Sequence, residues 1–224
     1  MREWHKNGIS LYNCDCMEAL RDMKDNSFDL LIADTPYGIG EDGSKNHTRG
    51  KFAVSQDYRP YLCNDKCPPP MEYFDTARRV SVNQIFFGAN HFISRIPYDS
   101  PCWIVWDKEN GASDFADCEL AWTSFKSAVR IFRFRWQGML QGDMRNKQRR
   151  IHPNEKPIAL YEWILQNYAS KGDRILDTHA GSCSSLIACY RMGFEATAYE
   201  IDEYYFGKAV DRLEEEMAQI RMEI

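Results

Sequence analysis

The stretch that most constrains the fold is the last third of the chain, where strand and helix alternate with short links. Arg174-Ile175-Leu176-Asp177 is a short apolar strand, Ser184 to Arg191 has helical spacing, Glu195 to Tyr199 is a second strand, and Glu203 to Met222 is a long amphipathic helix. Short links between alternating strands and helices are the pattern of a parallel sheet with crossover connections, so this stretch predicts an α/β chain: a mostly parallel sheet with crossover helices on both faces. Just before it, Pro157 to Ala169 carries apolar residues at helical spacing (Ile158, Tyr161, Ile164, Leu165, Tyr168) behind a proline suited to a first turn.

The first half reads less regularly. Ile9 to Tyr12 is a short strand and Met17 to Met23 one or two helical turns. Phe28 to Ala33 is a buried strand that runs into Asp34-Thr35-Pro36-Tyr37-Gly38. A strand ending in a polar, proline and glycine corner places that corner at the carboxyl edge of the sheet. Residues 38–70 are rich in Gly, Asn, Asp, Lys and Pro and show no sustained period. They predict a long loop beside the corner, and loops of that length inside a compact domain usually contact ligands or are disordered. A helix follows at Met71 to Val80, then strands at Gln84 to Phe87, Cys102 to Trp106, Glu119 to Phe125 and Ala128 to Phe134.

The 224 residues suit a single domain over 1–224, with insertions at about 38–70 and 107–150. A hydrophobic share of 44% supplies a core. No run approaches the roughly 18–20 apolar residues that cross a bilayer, and Met1-Arg2-Glu3-Trp4-His5 is polar where an export signal is apolar. No membrane partner is expected, and a cytoplasmic location is. The eight cysteines then default to reduced thiols. Cys14-x-Cys16 and Cys63-x3-Cys67 lack the repeated knuckle of a zinc site, and no metal is expected.

The net charge of −5 argues against a chain that coats nucleic acid over its whole surface, but the distribution is uneven. From Arg130 to Arg150 seven bases (130, 133, 135, 145, 147, 149, 150) face the single acid Asp143, whereas from Glu195 onward nine acids face three bases. The basic window is a candidate footprint for phosphates, and equally an ordinary solvated hairpin.

The clearest chemistry lies in Asp177-Thr178-His179-Ala180-Gly181-Ser182-Cys183-Ser184, with Glu200-Ile201 at the end of the next strand, 19 residues beyond Gly181. A small-residue turn between strand and helix lets a ligand approach the backbone, and a carboxylate at the next strand end can accept two ribose hydroxyls. One glycine stands where a dinucleotide fingerprint has three, which disfavours NAD or FAD. A plain strand-turn-helix with a capping serine has the same appearance.

Taken with the corner Asp34-Thr35-Pro36-Tyr37, this turn resembles the S-adenosylmethionine-dependent amino-methyltransferases of DNA. Their catalytic tetrapeptide is Asp/Asn/Ser-Pro-Pro-Tyr, and their cofactor loop reads like Asp-x-Phe-x-Gly-Ser-Gly. Asn13-Cys14-Asp15-Cys16, Phe86-Phe87-Gly88-Ala89-Asn90-His91, Trp106-Asp107-Lys108 and His152-Pro153-Asn154-Glu155-Lys156-Pro157 also have counterparts in bacterial and phage members. The tetrapeptide precedes the cofactor loop with the basic window between them, as in the circularly permuted beta group. Thr35 departs from the usual first proline, and His179 and Cys183 from the usual Phe and Gly.

The resemblance implies a Rossmann-like methyltransferase fold with S-adenosylmethionine as cofactor and double-stranded DNA as partner, a homodimer being left open. If the source is a phage, the compartment is the host cytoplasm. Asp34, Thr35, Pro36 and Tyr37 would be catalytic. Asp34 and the Thr35 carbonyl would each accept one N–H of an exocyclic amine, and Tyr37 would stack on a base swung out of the duplex. Asp15 and Cys16 would meet the cofactor adenine and Glu200 its ribose, with Ile201 also in contact with the cofactor. The turn from Asp177 to Ser184, with Lys156 and Asp34, would face its methionine end. Arg133, Arg135, Arg145, Lys147, Arg149 and Arg150 would touch DNA. N6 of adenine is preferred because Asp opens the tetrapeptide. Alternatives are N4 of cytosine, RNA or a protein glutamine as acceptor, or a catalytically silent nucleic-acid-binding module that keeps the fold.

Overall fold

A computed structural model describes residues 2–40, 59, 65–111, 116–137 and 140–219. In chain order the elements are β1 (Arg2–Lys6), β2 (Ile9–Asn13), α1 (Cys16–Leu20), β3 (Phe28–Ala33), α2 (Met71–Val80), β4 (Ser81–Phe87), β5 (Trp103–Asp107), β6 (Cys118–Thr123), β7 (Arg130–Arg133), β8 (Trp136–Gln137), β9 (Leu140–Gln141), α3 (Ile158–Tyr168), β10 (Arg174–Asp177), α4 (Ser184–Met192), β11 (Glu195–Tyr199) and α5 (Glu203–Ala218). Two short 3-10 turns, Ala89–His91 and Ile93–Arg95, follow β4.

Nine strands form one sheet in the order β1-β2-β11-β10-β3-β4-β6-β5-β7, and β8 and β9 form a separate hairpin. The five strands from β2 to β4 in that order are mutually parallel, as the alternation of strand and helix predicts. On the far side β6 runs antiparallel to both β4 and β5, while β7 is parallel to β5.

Side chains of the central strands alternate between two faces, and both are covered. Leu30, Ile32, Ile85, Phe87, Ile104 and Trp106 pack with residues of α3, α4 and α5, including Leu160, Ile164, Leu186, Ile187 and Leu213. Their neighbours Leu31, Ala33, Phe86 and Leu176 pack with Leu20 of α1 and Tyr73, Phe74, Ala77 and Val80 of α2. Burial on both faces is why Phe28 to Ala33 reads as an unbroken apolar run rather than an alternating one.

Several boundaries differ from the sequence reading. The last helix ends at Ala218 rather than Met222, and residues 220–224 lie outside the described set. The first helix stops at Leu20, because the Arg79 guanidinium of α2 takes the carbonyls of Leu20, Arg21 and Met23 and turns the chain there. The strand at Ala128 to Phe134 shortens to Arg130–Arg133, the length of its parallel ladder with β5. The expected loop 38–70 is described only at 38–40, 59 and 65–70.

Candidate active site

In the parallel part of the sheet, the carboxyl ends of β2, β11, β10, β3 and β4 lie along one edge. They deliver Asn13 to Cys16, Glu200, Asp177, Asp34 and Gly88 to that edge. Ligands of open α/β sheets bind outside this edge. The antiparallel strand β6 brings its amino end there instead, with Phe87 opposite Ala121 and a hydrogen bond from Gly88 N to Leu120 O of 2.8 Å. Glu119 thereby joins the edge. Its register partner on β5 is Trp106, so Lys108 arrives beside it.

At the Asp34 corner these groups make one network. Lys156 Nζ lies 2.6 Å from Asp34 Oδ1 and 3.1 Å from Glu119 Oε2, and donates to the Tyr37 hydroxyl at 3.0 Å. The Tyr37 hydroxyl donates to Asp34 Oδ1 at 2.8 Å and reaches Glu119 Oε2 at 3.3 Å. Lys108 closes the set with an ion pair to Glu119. Two carboxylates and two ammonium groups cancel, which is how four charges can share so enclosed a space. The Lys156 side chain is only 5% exposed.

The balance decides each proton affinity. Burial pushes the Asp34 carboxyl above its usual range; Lys156 opposes this and Glu119 adds to it. Burial also works against the charge on Glu119, but Lys156 and Lys108 outweigh it and hold that carboxyl at about 2. For Lys156 burial disfavours the ammonium, yet Asp34 and Glu119 raise its pKa above the lysine norm. Tyr37, buried and facing both carboxylates, is held well above the tyrosine norm and stays a phenol.

The Tyr37 ring is set by its packing. It stacks on His91 at a centroid distance of 5.4 Å and lies tilted 6.4 Å from Phe92. Gly88, at φ 67°, lies directly against it, and a Cβ there would overlap the ring. The segment Phe86 to His91 therefore serves the corner as a floor for its aromatic residue. Thr35 is 2% exposed at the buried position between Asp34 and Pro36.

The second acidic turn is laced to its neighbours. Glu200 Oε2 accepts Gly181 N and Oε1 accepts Asp202 N, both at 2.8 Å, and Asn13 Nδ2 donates to the Glu200 carbonyl at 2.8 Å. Burial raises the Glu200 carboxyl to about 7 against the pull of those two amides. Asp177 accepts His179 N at 2.9 Å and the Ser185 hydroxyl, and burial lifts it to about 6. Thr178 Oγ1 bonds to Tyr73 OH of α2 at 2.5 Å and to His179 Nδ1 at 2.9 Å. Burial keeps His179 neutral, its pKa lowered to about 4. Asp15 caps α1 through Met17 N at 2.9 Å, and Cys16 is buried behind it.

Cys183 takes φ 60°, the left-handed conformation in which glycine is usual, and its side chain is fully buried in the main core. It therefore points away from the open face of the turn. On that face a Cβ at Gly181 would meet only the His179 carbonyl, at 4.0 Å. Arg212 of α5 fastens the turn from behind, donating to Ser182 O at 2.8 Å and pairing with Glu155 at 3.1 Å.

In the basic window Arg133, Arg135, Arg145, Lys147 and Arg149 are exposed, and Arg133 lies 3.4 Å from Asp107. Arg150 is half-buried; it covers the Trp136 ring and donates to the Trp136 carbonyl at 2.9 Å.

Sequence reasoning missed Glu119, since an acid at the start of an apolar strand carries no signal until the antiparallel register is known. It also missed Arg212 and Tyr73, which act from the backs of helices.

Acids at or just after the ends of β3, β10 and β11 thus meet at the edge where open α/β sheets bind their ligands. Residues 105–211 match the N6/N4 family model described as DNA methylase. The chain is similar to the Type II methyltransferase M.HpaI of Haemophilus parainfluenzae, 25% identical over 90% of this chain and 73% of that protein. Among solved structures, the M1.HpyAVI–SAM complex shares the fold with a TM-score of 0.59 at 19% identity, over 92% of this chain and 98% of that one. The cytosine-N4-specific PvuII DNA methyltransferase does so with a TM-score of 0.58 at 11% identity, over 91% and 86%.

Proposed function

We propose that this chain transfers a methyl group from S-adenosylmethionine to N6 of adenine in double-stranded DNA. The observation that carries the reading is the Asp34 carboxylate, set at the carboxyl edge beside Tyr37 and across from the turn that ends in Glu200. Lys156 and the Tyr37 hydroxyl both address Asp34 Oδ1. That assigns Oδ2 to the incoming amine, with the Thr35 carbonyl as second acceptor. Two acceptors at fixed positions draw the amine nitrogen toward a pyramidal shape and aim its lone pair. The Tyr37 ring, packed on His91 and against Gly88, would stack on a base taken out of the duplex. Once methylated, the nitrogen must lose a proton, and the raised proton affinity of Asp34 suits it to receive one.

Glu200 would hold the cofactor ribose, with Ile201 beside it, and Asp15 and Cys16 its adenine. The turn from Asp177 to Ser184, with Asp34 and Lys156, would line its methionine end. The open space at Gly181 and the small side chains around it fit such a ligand. When bound, S-adenosylmethionine supplies an electrophilic sulfonium methyl. Arg133, Arg135, Arg145, Lys147, Arg149 and Arg150 would meet DNA phosphates.

The test is to incubate the protein with methyl-labelled S-adenosylmethionine and a mixed-sequence duplex, then digest to nucleosides. Label in N6-methyldeoxyadenosine is expected. Label in N4-methyldeoxycytidine would reassign the acceptor, and label only in an RNA control would reassign the substrate.

A further inference from the structure

Asp65 belongs to no motif in the sequence, yet it is buried and tied to the residues just after the proposed catalytic corner. Its Oδ1 accepts the backbone N–H of Tyr37 at 2.5 Å and of Gly38 at 2.9 Å, and its Oδ2 accepts that of Ile39 at 3.2 Å. The Asp65 carbonyl accepts the N–H of Gly40 at 2.9 Å. Four successive amides therefore converge on one residue.

These amides need such a partner. β3 ends at Ala33, and Pro36 has no N–H to offer, so the corner beyond Asp34 is not held by the sheet ladder. A carboxylate that gathers three amides is fixed more firmly than a neutral acceptor. Asp65 is itself well anchored. It is 3% exposed, and three residues on, Pro68 packs against Gly38, where a Cβ would collide with the proline ring. Arg95 then holds the Pro68 and Pro69 carbonyls, each at 2.6 Å. The chain leaves the corner at Gly40 and is clasped to it again at Asp65.

We infer that Asp65 is a positioning residue for methyl transfer: its carboxylate fixes the backbone of Tyr37 to Ile39, and with it the direction of the Thr35 carbonyl and the face of the Tyr37 ring. This rests on the function proposed above. The four hydrogen bonds described above tie Asp65 to the segment from Tyr37 to Gly40, so its effect falls on the rate of transfer and not on retention of the cofactor.

The test compares wild type with Asp65→Ala and Asp65→Asn in two measurements. In steady-state transfer to a mixed-sequence duplex, kcat should fall roughly 10- to 100-fold for the alanine variant and less for asparagine, which keeps one acceptor oxygen. KM for S-adenosylmethionine should stay within about twofold, the split expected when only the reacting geometry loosens. In hydrogen exchange, the peptide containing Tyr37 to Ile39 should lose protection in Asp65→Ala while β10 and α4 keep theirs. A kcat within twofold of wild type would overturn the inference, as would unchanged protection of that peptide. Loss of protection throughout the sheet would reduce Asp65 to a fold-holding role and overturn it too. If wild type transfers no methyl group, the proposed function fails on its own account, and the exchange measurement still decides whether Asp65 organises the corner.

Discussion

The Lys156 ammonium lies 2.6 Å from Asp34 Oδ1, joining a residue just before α3 to one just after β3. The same ammonium neutralises Glu119, so its removal would leave two carboxylates enclosed with Lys108 alone. Lys156→Met should cost about 3 kcal/mol of stability, the order found when one partner of a buried pair is lost. The sign with pH is fixed. Without Lys156 the Asp34 carboxyl, already raised by burial and by Glu119, binds its proton still more tightly in the folded state than in the unfolded one, and this contribution to stability falls as pH rises. Urea unfolding at pH 5 and pH 8 should show the larger deficit at pH 8.

Glu200 gives a second pH dependence. Its carboxyl is raised to about 7, so below that pH it is largely protonated and above it ionised. If the ionised form holds the ribose hydroxyls, calorimetric titration should show S-adenosylmethionine binding about tenfold tighter at pH 8 than at pH 6. Glu200→Ala should weaken binding by roughly 1.5–3 kcal/mol at pH 8 and flatten the pH profile. Unchanged affinity would place the nucleoside elsewhere.

Cys183 holds φ 60° with its side chain in the core. Alanine there would keep the left-handed strain and lose the buried sulfur, whereas glycine loses the sulfur but relieves the strain, worth about 1–2 kcal/mol. Cys183→Gly should therefore melt at or above Cys183→Ala, the reverse of the order found within helices and strands. The usual order would show that this turn does not need the left-handed conformation.

What the sequence could show followed from local pattern. The parallel core was legible because strand, turn and helix alternate within 174–218, and the two acidic turns because Asp34 and Asp177 each end an apolar strand. Strand β1 escaped because Arg2, Glu3, His5 and Lys6 are polar residues on a sheet edge. The signal was nonetheless present: Asn7-Gly8, both at positive φ, is the two-residue turn that pairs Lys6 with Ile9. Glu119 and Asp65 were hidden for another reason. Each reaches the site through register or loop closure over a long separation in the chain, which periodicity does not report.

The basic window makes a prediction of its own. Arg145, Lys147 and Arg149 are exposed, as a contact to phosphates requires. Neutralising two of them should lower the salt slope of duplex binding by nearly two. An unchanged slope would make them ordinary solvated surface.

In the proposed reaction the Asp34 carboxylate accepts a hydrogen bond from the target amine. Methyl transfer from labelled S-adenosylmethionine to duplex DNA, measured for wild type and Asp34→Ala beside a gel-shift assay of each, tests it most directly. The account predicts that wild type transfers label, that Asp34→Ala loses a factor of roughly 10²–10³ or more, and that both shift the duplex. An Asp34→Ala protein that transfers label as fast as wild type would contradict it.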